Sequence, residues 1–330
     1  MKFGISLIVG LIVLIASSCK KENIQLDFLT IEIPVKGVTR AIDFVPSSEG
    51  TNYSWIISGG DNGSAGFILT SNLGFTQFSV VADSLKWPVF DQIFNNNRFV
   101  FSAEQGRIYF GNKDLTHLTI HYAPKEYWVN ILNEKSLWQI EETPNMGLYM
   151  ACGGDLGKGL VFYSPNNGGY WIPYELENEM RSVSYQPPNT IWACGYGLLI
   201  KTHDFESGWE TVPFKNEFFT GIDFLNENNA VLSTFDGKIY QTTNGESWDE
   251  VFKIKGLSDG LSINKIRFLT DQLVVAIGNG GFIAISHDGG NSWTSGSDFN
   301  ETNLYDMAYI DEWLYLVGNA SVIYKFMPNQ

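Results

Sequence analysis

Short apolar runs alternate with turn-forming clusters along this chain, and no stretch of adequate length carries a helical period. The runs recur in a fixed order about every 40 residues. First comes an apolar pair closed by an aromatic or leucine: Ile42-Asp43-Phe44, Gln92-Ile93-Phe94, Asn130-Ile131-Leu132, Val183-Ser184-Tyr185, Ile222-Asp223-Phe224, Ile266-Arg267-Phe268 and Met307-Ala308-Tyr309. Next comes a strand opened by glycine, as in Gly66-Phe67-Ile68, Gly106-Arg107-Ile108, Gly159-Leu160-Val161, Gly197-Leu198-Leu199, Gly237-Lys238-Ile239 and Gly281-Phe282-Ile283. Ser321-Val322-Ile323 is a further copy with serine in place of glycine. A turn ending in an aromatic follows, clearest at Ser286 to Trp293.

Each repeat carries four short β runs, which predicts an all-β, seven-bladed β-propeller of four-stranded antiparallel blades. A sandwich would not repeat the same signatures at equal phase, while six or eight blades would need a doubled or a cryptic repeat. The last repeat stops after Ile323-Tyr324-Lys325-Phe326, one strand short, and a spare alternating run, Ile24 to Ile33, precedes the first repeat. That run is expected to complete the last blade and remove its open edge. Residues 24–330 therefore read as a single monomeric propeller.

The first residues form a separate device. Lys2 is followed by an almost wholly apolar run from Phe3 to Ala16, too short for a transmembrane helix, then Ser17, Ser18 and Cys19. The segment resembles a bacterial lipoprotein signal, although Ala16 stands where leucine is usual. The resemblance implies a signal peptide over 1–18, lipid attachment at Cys19, a short tether over 19–23, and a place on a membrane of the bacterial cell envelope, at the periplasmic face or the cell surface. Cys152 and Cys194 fall in corresponding strands of neighbouring repeats, roughly 10 Å apart, so buried free thiols are expected. Neither a metal site nor a cofactor is expected, since the cysteines and four histidines lack paired spacings. A net charge of -15 argues against a nucleic-acid partner.

The Ser286-x-Asp288-x-Gly290-x-Ser292-Trp293 turn has a physical rationale: short side chains bond to the turn backbone, glycine takes a positive φ, and tryptophan wedges between blades. Ser164, Asn166, Gly168 and Trp171 keep the spacing. Asp204 and Trp209 keep two elements of it, and Asn244, Gly245 and Trp248 form a shortened version. The pattern resembles the Asp-box, or bacterial neuraminidase repeat. Together with the Gly-x-Ile strands it looks most like the photosystem II stability/assembly-factor-like propellers, over residues 37–326. In such families the turn lies opposite the ligand face, which implies structural roles for these residues.

The other face would hold the blade connectors, where aromatics stand beside charges: Trp87, Tyr127, Trp128, Phe218 and Phe219. The residue four before each closing aromatic should mark where the innermost strand enters this face: Arg40, Phe90, Trp128, Arg181, Thr220, Asn264 and Tyr305. Such a ring could receive a carboxylate, a sugar or a protein side chain, or simply staple the blades together. A non-catalytic lipoprotein that binds a protein partner is the leading expectation, with a carbohydrate-binding lipoprotein or a sialidase-like hydrolase as alternatives. Sialidase chemistry needs a triad of arginines, and of Arg40, Arg98, Arg107, Arg181 and Arg267 only Arg40 and Arg181 are expected at the mouth. The Arg-Ile-Pro motif of sialidases is absent.

Overall fold

The computed structural model describes residues 26–46, 50–61, 65–95, 98–121, 136–143, 148–155, 157–205, 207–254, 261–297, 299 and 301–328. They form seven four-stranded antiparallel sheets, a seven-bladed β-propeller, with no α-helix among the described residues. Strands are lettered a to d from the axis outward. The a strands are Thr39–Phe44, Val89–Asn95, Ser136–Thr143, Met180–Gln186, Phe219–Phe224, Ile263–Phe268 and Leu304–Ile310.

Strand d of the last blade is Leu29–Glu32, which pairs antiparallel with Val322–Phe326 from Leu29↔Lys325 to Glu32↔Val322. It is shorter than the run read from the sequence. The first and last portions of the chain thus share one sheet.

Each blade packs on a neighbour at both faces, so the inner strands, such as Trp55–Gly60, Ala230–Thr234 and Val274–Gly278, are buried throughout, while outer strands such as Phe78–Leu85 are partly exposed. Among the described residues there are seven apolar clusters, one at each contact between successive blades. The contact between blades 7 and 1 is as well filled as the rest, with Ile42, Trp55 and Ile57 packed on Tyr315, Val317 and Ile323.

The turns between strands c and d staple these contacts. In the last complete turn Ser286 Oγ donates to Asp288 Oδ1 at 2.8 Å, and the amides of Gly290 and Ser292 donate to Ser286 Oγ and Asp288 Oδ1, each at 2.8 Å. Gly290 has φ +99°, which a side chain would strain. Asn166 and Asn244 likewise accept turn amides, from Tyr170 at 2.9 Å and from Glu246 at 3.0 Å. Asp204 is held by Thr202 and Ser207. The tryptophans reach the preceding blade: Trp171 is buried against Phe110, Trp248 meets Trp192 at 6.0 Å, Trp293 meets Phe252 at 6.2 Å, and Trp209 meets Tyr174 at 6.2 Å. Blades 1 and 2 use a different device, in which Asn72 and Asn112 accept the amides of Thr76 and His117.

Candidate functional site

Every a strand contains one β-bulge near its start, and the bulged residues are Arg40, Phe90, Trp138, Arg181, Thr220, Asn264 and Tyr305. A bulge leaves one residue out of the ladder and re-aims its side chain. All seven point at the same place, the rim of a central cavity of about 170 Å³. This collar lies at the end of the blades that carries the b–c turns and the connectors, opposite the c–d turns.

Six of the seven collar positions coincide with those expected from the sequence. The third is corrected: Trp128, with Tyr127 and the Asn130-Ile131-Leu132 run, lies outside the described residues, and strand a of blade 3 is Ser136–Thr143 with Trp138 bulged. At the closing position, where the other a strands have an aromatic, this strand has Glu142, which hid its phase.

Within the collar, each of the two guanidiniums is packed against aromatic rings. The Arg40 guanidinium sits between Tyr305, 4.5 Å from the ring centroid, and Phe90, 5.1 Å away. Phe90 meets Trp138 edge-on at 4.8 Å, and Trp138 supports the Arg181 guanidinium at 4.1 Å. Arg181 also leans on Phe218 at 5.5 Å and is paired with Glu179 at 2.9 Å. Burial lowers the pKa of both guanidiniums, offset in part by Tyr305 at Arg40 and by Glu179 at Arg181.

Two connector aromatics are not part of the accessible face. Trp87 is buried, donating to Gln105 Oε1 at 2.7 Å beneath the Arg107 guanidinium, and Phe219 is fully buried against Phe214. An aromatic next to a charge has the same composition whether it caps a blade contact or meets solvent, so sequence alone does not separate the two. Conversely, Tyr196 and Phe235 are exposed beside Phe218 and were not anticipated.

Below the collar the channel wall is charged. It carries Asp43, Asp91, Glu141, Asp223 and Asp306 against Lys265 and Arg267. Lys265 bridges Asp306 and Asp91, the latter at 3.6 Å. Most of these acceptors serve the neighbouring blade. Strand a has no partner on its axial edge, and channel side chains cap its amides. Asp91 takes the Ile140 amide at 3.1 Å, Gln139 that of Val183 at 3.0 Å, and Ser182 that of Ile222 at 3.2 Å. Asp223 takes the Phe268 amide at 2.7 Å, and Asp306 takes that of Ile42 at 2.9 Å. Burial pushes the carboxyls of Asp43 and Glu141 up to about 8, reinforced by Asp306 and Asp223 respectively. Burial opposes the Lys265 charge, but Asp306 and Asp91 more than offset it and its pKa is raised. Arg267 sits in the channel below the collar, among these carboxylates. Among the described residues no His, Cys, Asp or Glu group is arranged to hold a metal ion. Cys152 and Cys194 are buried free thiols.

No family model and no characterised protein sequence matches the chain. Solved structures do. YCF48 from Cyanidioschyzon merolae is 15% identical with TM-score 0.68, over 92% of this chain and 99% of that one. A structure of YCF48 bound to D1 peptide is 15% identical with TM-score 0.67, over 92% and 98%. Virginiamycin B lyase from Staphylococcus aureus is 12% identical with TM-score 0.69, over 92% and 99%. What these proteins share with the chain is the fold. The collar residues come from its own sequence.

Proposed function

We propose that this chain is a non-catalytic, membrane-anchored binding propeller, with a scaffold or assembly role, whose collar takes a segment of a protein partner. The observation that carries this reading is the convergence of seven bulged residues on one opening, with two guanidiniums wedged between rings. Aromatic and arginine anchors inside a polar rim are what protein interfaces use. The guanidiniums suit a carboxylate and the rings suit an apolar side chain. A cavity of about 170 Å³ is of the size that admits one such group at a time. The peptide complex of YCF48 is a precedent for peptide binding on this fold.

The arginine distribution weighs against a sialidase-like site. Arg98 donates to the Asn167 carbonyl in the c–d turn of blade 3, at the end opposite the collar, at 2.7 Å, Arg107 covers Trp87, and Arg267 is sunk among channel carboxylates. Only Arg40 and Arg181 are at the collar, so a triad clamp is not assembled there.

Anchoring rests on the Cys19 sequence context, outside the described residues. The topology suits it: Leu29 enters strand d beside Lys325, at the end of blade 7 away from Tyr305. A lipidated Cys19 would then hold the collar facing away from the bilayer. A Cys19→Ser variant should move from the membrane to the soluble fraction.

The functional test is affinity capture of the lipidated protein from gently solubilised membranes. The comparison is a variant with Arg40, Trp138 and Arg181 changed to alanine and unchanged thermal unfolding. A partner retained by wild type and lost by the variant supports the collar. Equal capture by both moves the site elsewhere, and capture of glycans alone favours a carbohydrate-binding lipoprotein.

A further inference from the structure

In every blade the strand-b residue paired with the position just before the bulge is followed by an equivalent residue: Gly60, Glu104, Gly154, Tyr196, Phe235, Asn279 and Asn319. In six blades its amide makes the same hydrogen bond, to the carbonyl two residues before the bulge. Tyr196 donates to Glu179 at 2.8 Å and Phe235 to Phe218 at 2.8 Å. Gly60 donates to Val38 at 2.9 Å, while Glu104, Asn279 and Asn319 donate to Pro88, Ser262 and Asn303 at 3.0 Å each. The turn therefore forms with glycine or a polar residue, and its geometry does not require a ring. Only blades 4 and 5 place one there.

Those two rings are 44% and 51% exposed, and they are joined into one surface by Phe218. Tyr196 meets Phe218 edge-on at 5.2 Å, and Phe218 stacks on Phe235 at 5.4 Å. Contiguous exposed rings without a folding role mark an interaction surface. Phe218 and Phe235 also line the central cavity, so this shelf runs outward from the collar.

Charge and hydrogen bonding select the occupant. The carboxylates on the shelf's own turns are engaged: Glu179 by Arg181 at 2.9 Å, Glu217 by Lys238 at 2.8 Å and Tyr240 Oη at 3.0 Å, and Asp236 by Lys238 at 2.7 Å. Acceptors committed in this way are poorly placed to take sugar hydroxyls or a basic side chain. The cation bordering the rings is Arg181, which stacks on Phe218 and gives Nη2 to Glu179, while its Nε has no hydrogen-bond partner among the described residues. The complementary ligand carries an apolar group for the rings and a carboxylate for Arg181. From the Arg181 guanidinium to Phe218 is 5.5 Å and from Phe218 to Phe235 a further 5.4 Å, on the order of 10 Å in all, or about three residues of extended chain.

We infer that the shelf of Tyr196, Phe218 and Phe235 docks an extended protein segment in which an apolar side chain lies about three residues from an acidic one held at Arg181. This rests on the collar being a protein-binding site, and adds the direction in which the segment leaves it.

The test selects a random library of displayed 12-residue peptides against the full chain in mild detergent. The best peptide is then titrated by fluorescence polarisation. One variant combines Tyr196→Asn and Phe235→Asn, the residue blades 6 and 7 carry at this place, so the turn is preserved. A second combines Arg40→Gln and Arg181→Gln. Enriched peptides should pair Phe, Trp, Tyr or Leu with Asp or Glu at that spacing, and the asparagine variant should bind the best one about tenfold more weakly with unchanged thermal unfolding. Peptides without the pair, or affinity unmoved by the asparagine variant, overturn the shelf. If binding then still falls in the glutamine variant, the collar reading survives. No enrichment from the library overturns both, as does binding confined to a glycan array.

Discussion

Arg40 and Asp43 lie on one strand, yet one stands at the rim and the other on the channel wall, and their environments set opposite expectations. Arg40 keeps its charge because two rings replace the lost water. Asp43 has no comparable support: burial and Asp306 push its carboxyl up to about 8, against the pull of Arg267 and Lys265 and with Asp91 adding to the push. The unfolded chain ionises this group near pH 4. Between about pH 4 and 8 the folded ring thus holds a proton that the unfolded chain releases, so this group's contribution to stability falls as pH rises and levels off above 8. Asp43→Asn should match wild type near pH 4 and be the more stable by about 1–3 kcal/mol near pH 8.5, after discounting for water in the channel. Urea unfolding across that range checks it, and parallel curves would contradict it. The c–d turns give a second residue-scale expectation. Asp288→Ala frees the Ser292 amide and the Ser286 hydroxyl and should cost about 1–2 kcal/mol. Peptide or partner binding at the collar should not change. The channel charges were not legible in the sequence. Alternation of polar and apolar residues along strand a has the same period whether the polar face meets solvent or an internal channel. Hence Asp91, Lys265 and Asp306 look like ordinary surface positions.

At the scale of the element, the a strand was readable wherever its closing aromatic survives. Phe44, Phe94, Tyr185, Phe224, Phe268 and Tyr309 each stand four residues after a bulge, and Arg40, Phe90, Arg181, Thr220, Asn264 and Tyr305 follow from them. Blade 3 shows the limit. Glu142 breaks the template, and an upstream run containing Ile131 and Leu132 matches it better than Leu137 and Ile140 do. The bulge itself leaves no mark in composition, because an arginine, a threonine and a tryptophan all occupy it. What links one a strand to the next is the capping of axial amides by channel side chains. Asp223→Ala removes the acceptor of the Phe268 amide and leaves a half-buried donor without a partner. The expected loss is about 1–3 kcal/mol, with faster hydrogen exchange at Phe268 and in blade 6 before the rest. Uniform exchange around the ring would show that the caps do not set local stability.

At the scale of the whole molecule, the last blade takes its outer strand from the other portion of the sequence. Without Leu29–Glu32, the sheet of blade 7 would end at Val322–Phe326, whose outer edge would present unpaired amides and carbonyls. The loss would extend past four ladder positions. Leu26 and Phe28 fill the contact between blades 6 and 7, where Phe28 lies 4.9 Å from Phe299, and Ile33 belongs to the contact between blades 7 and 1. A chain beginning at Pro34 should therefore weaken two of the seven blade contacts at once. Because each blade is held only by its neighbours, weakening adjacent contacts opens the ring instead of trimming one blade. Calorimetry should show a thermal midpoint lower by at least ~10 °C, and sedimentation velocity should show association that grows with concentration as free edges pair between molecules. Adding the peptide Leu26–Val35 in trans should reverse both changes if the missing sheet edge is their cause. An unchanged midpoint would mean that packing among the remaining strands closes the ring without its fourth strand in blade 7. Collar binding offers the matching readout. Tyr305 is bulged from the a strand of that same blade and stacks on Arg40 across the closing contact. Loss of closure should therefore weaken binding at Arg40 more than at Arg181, which stands in blade 4 on the far side of the ring.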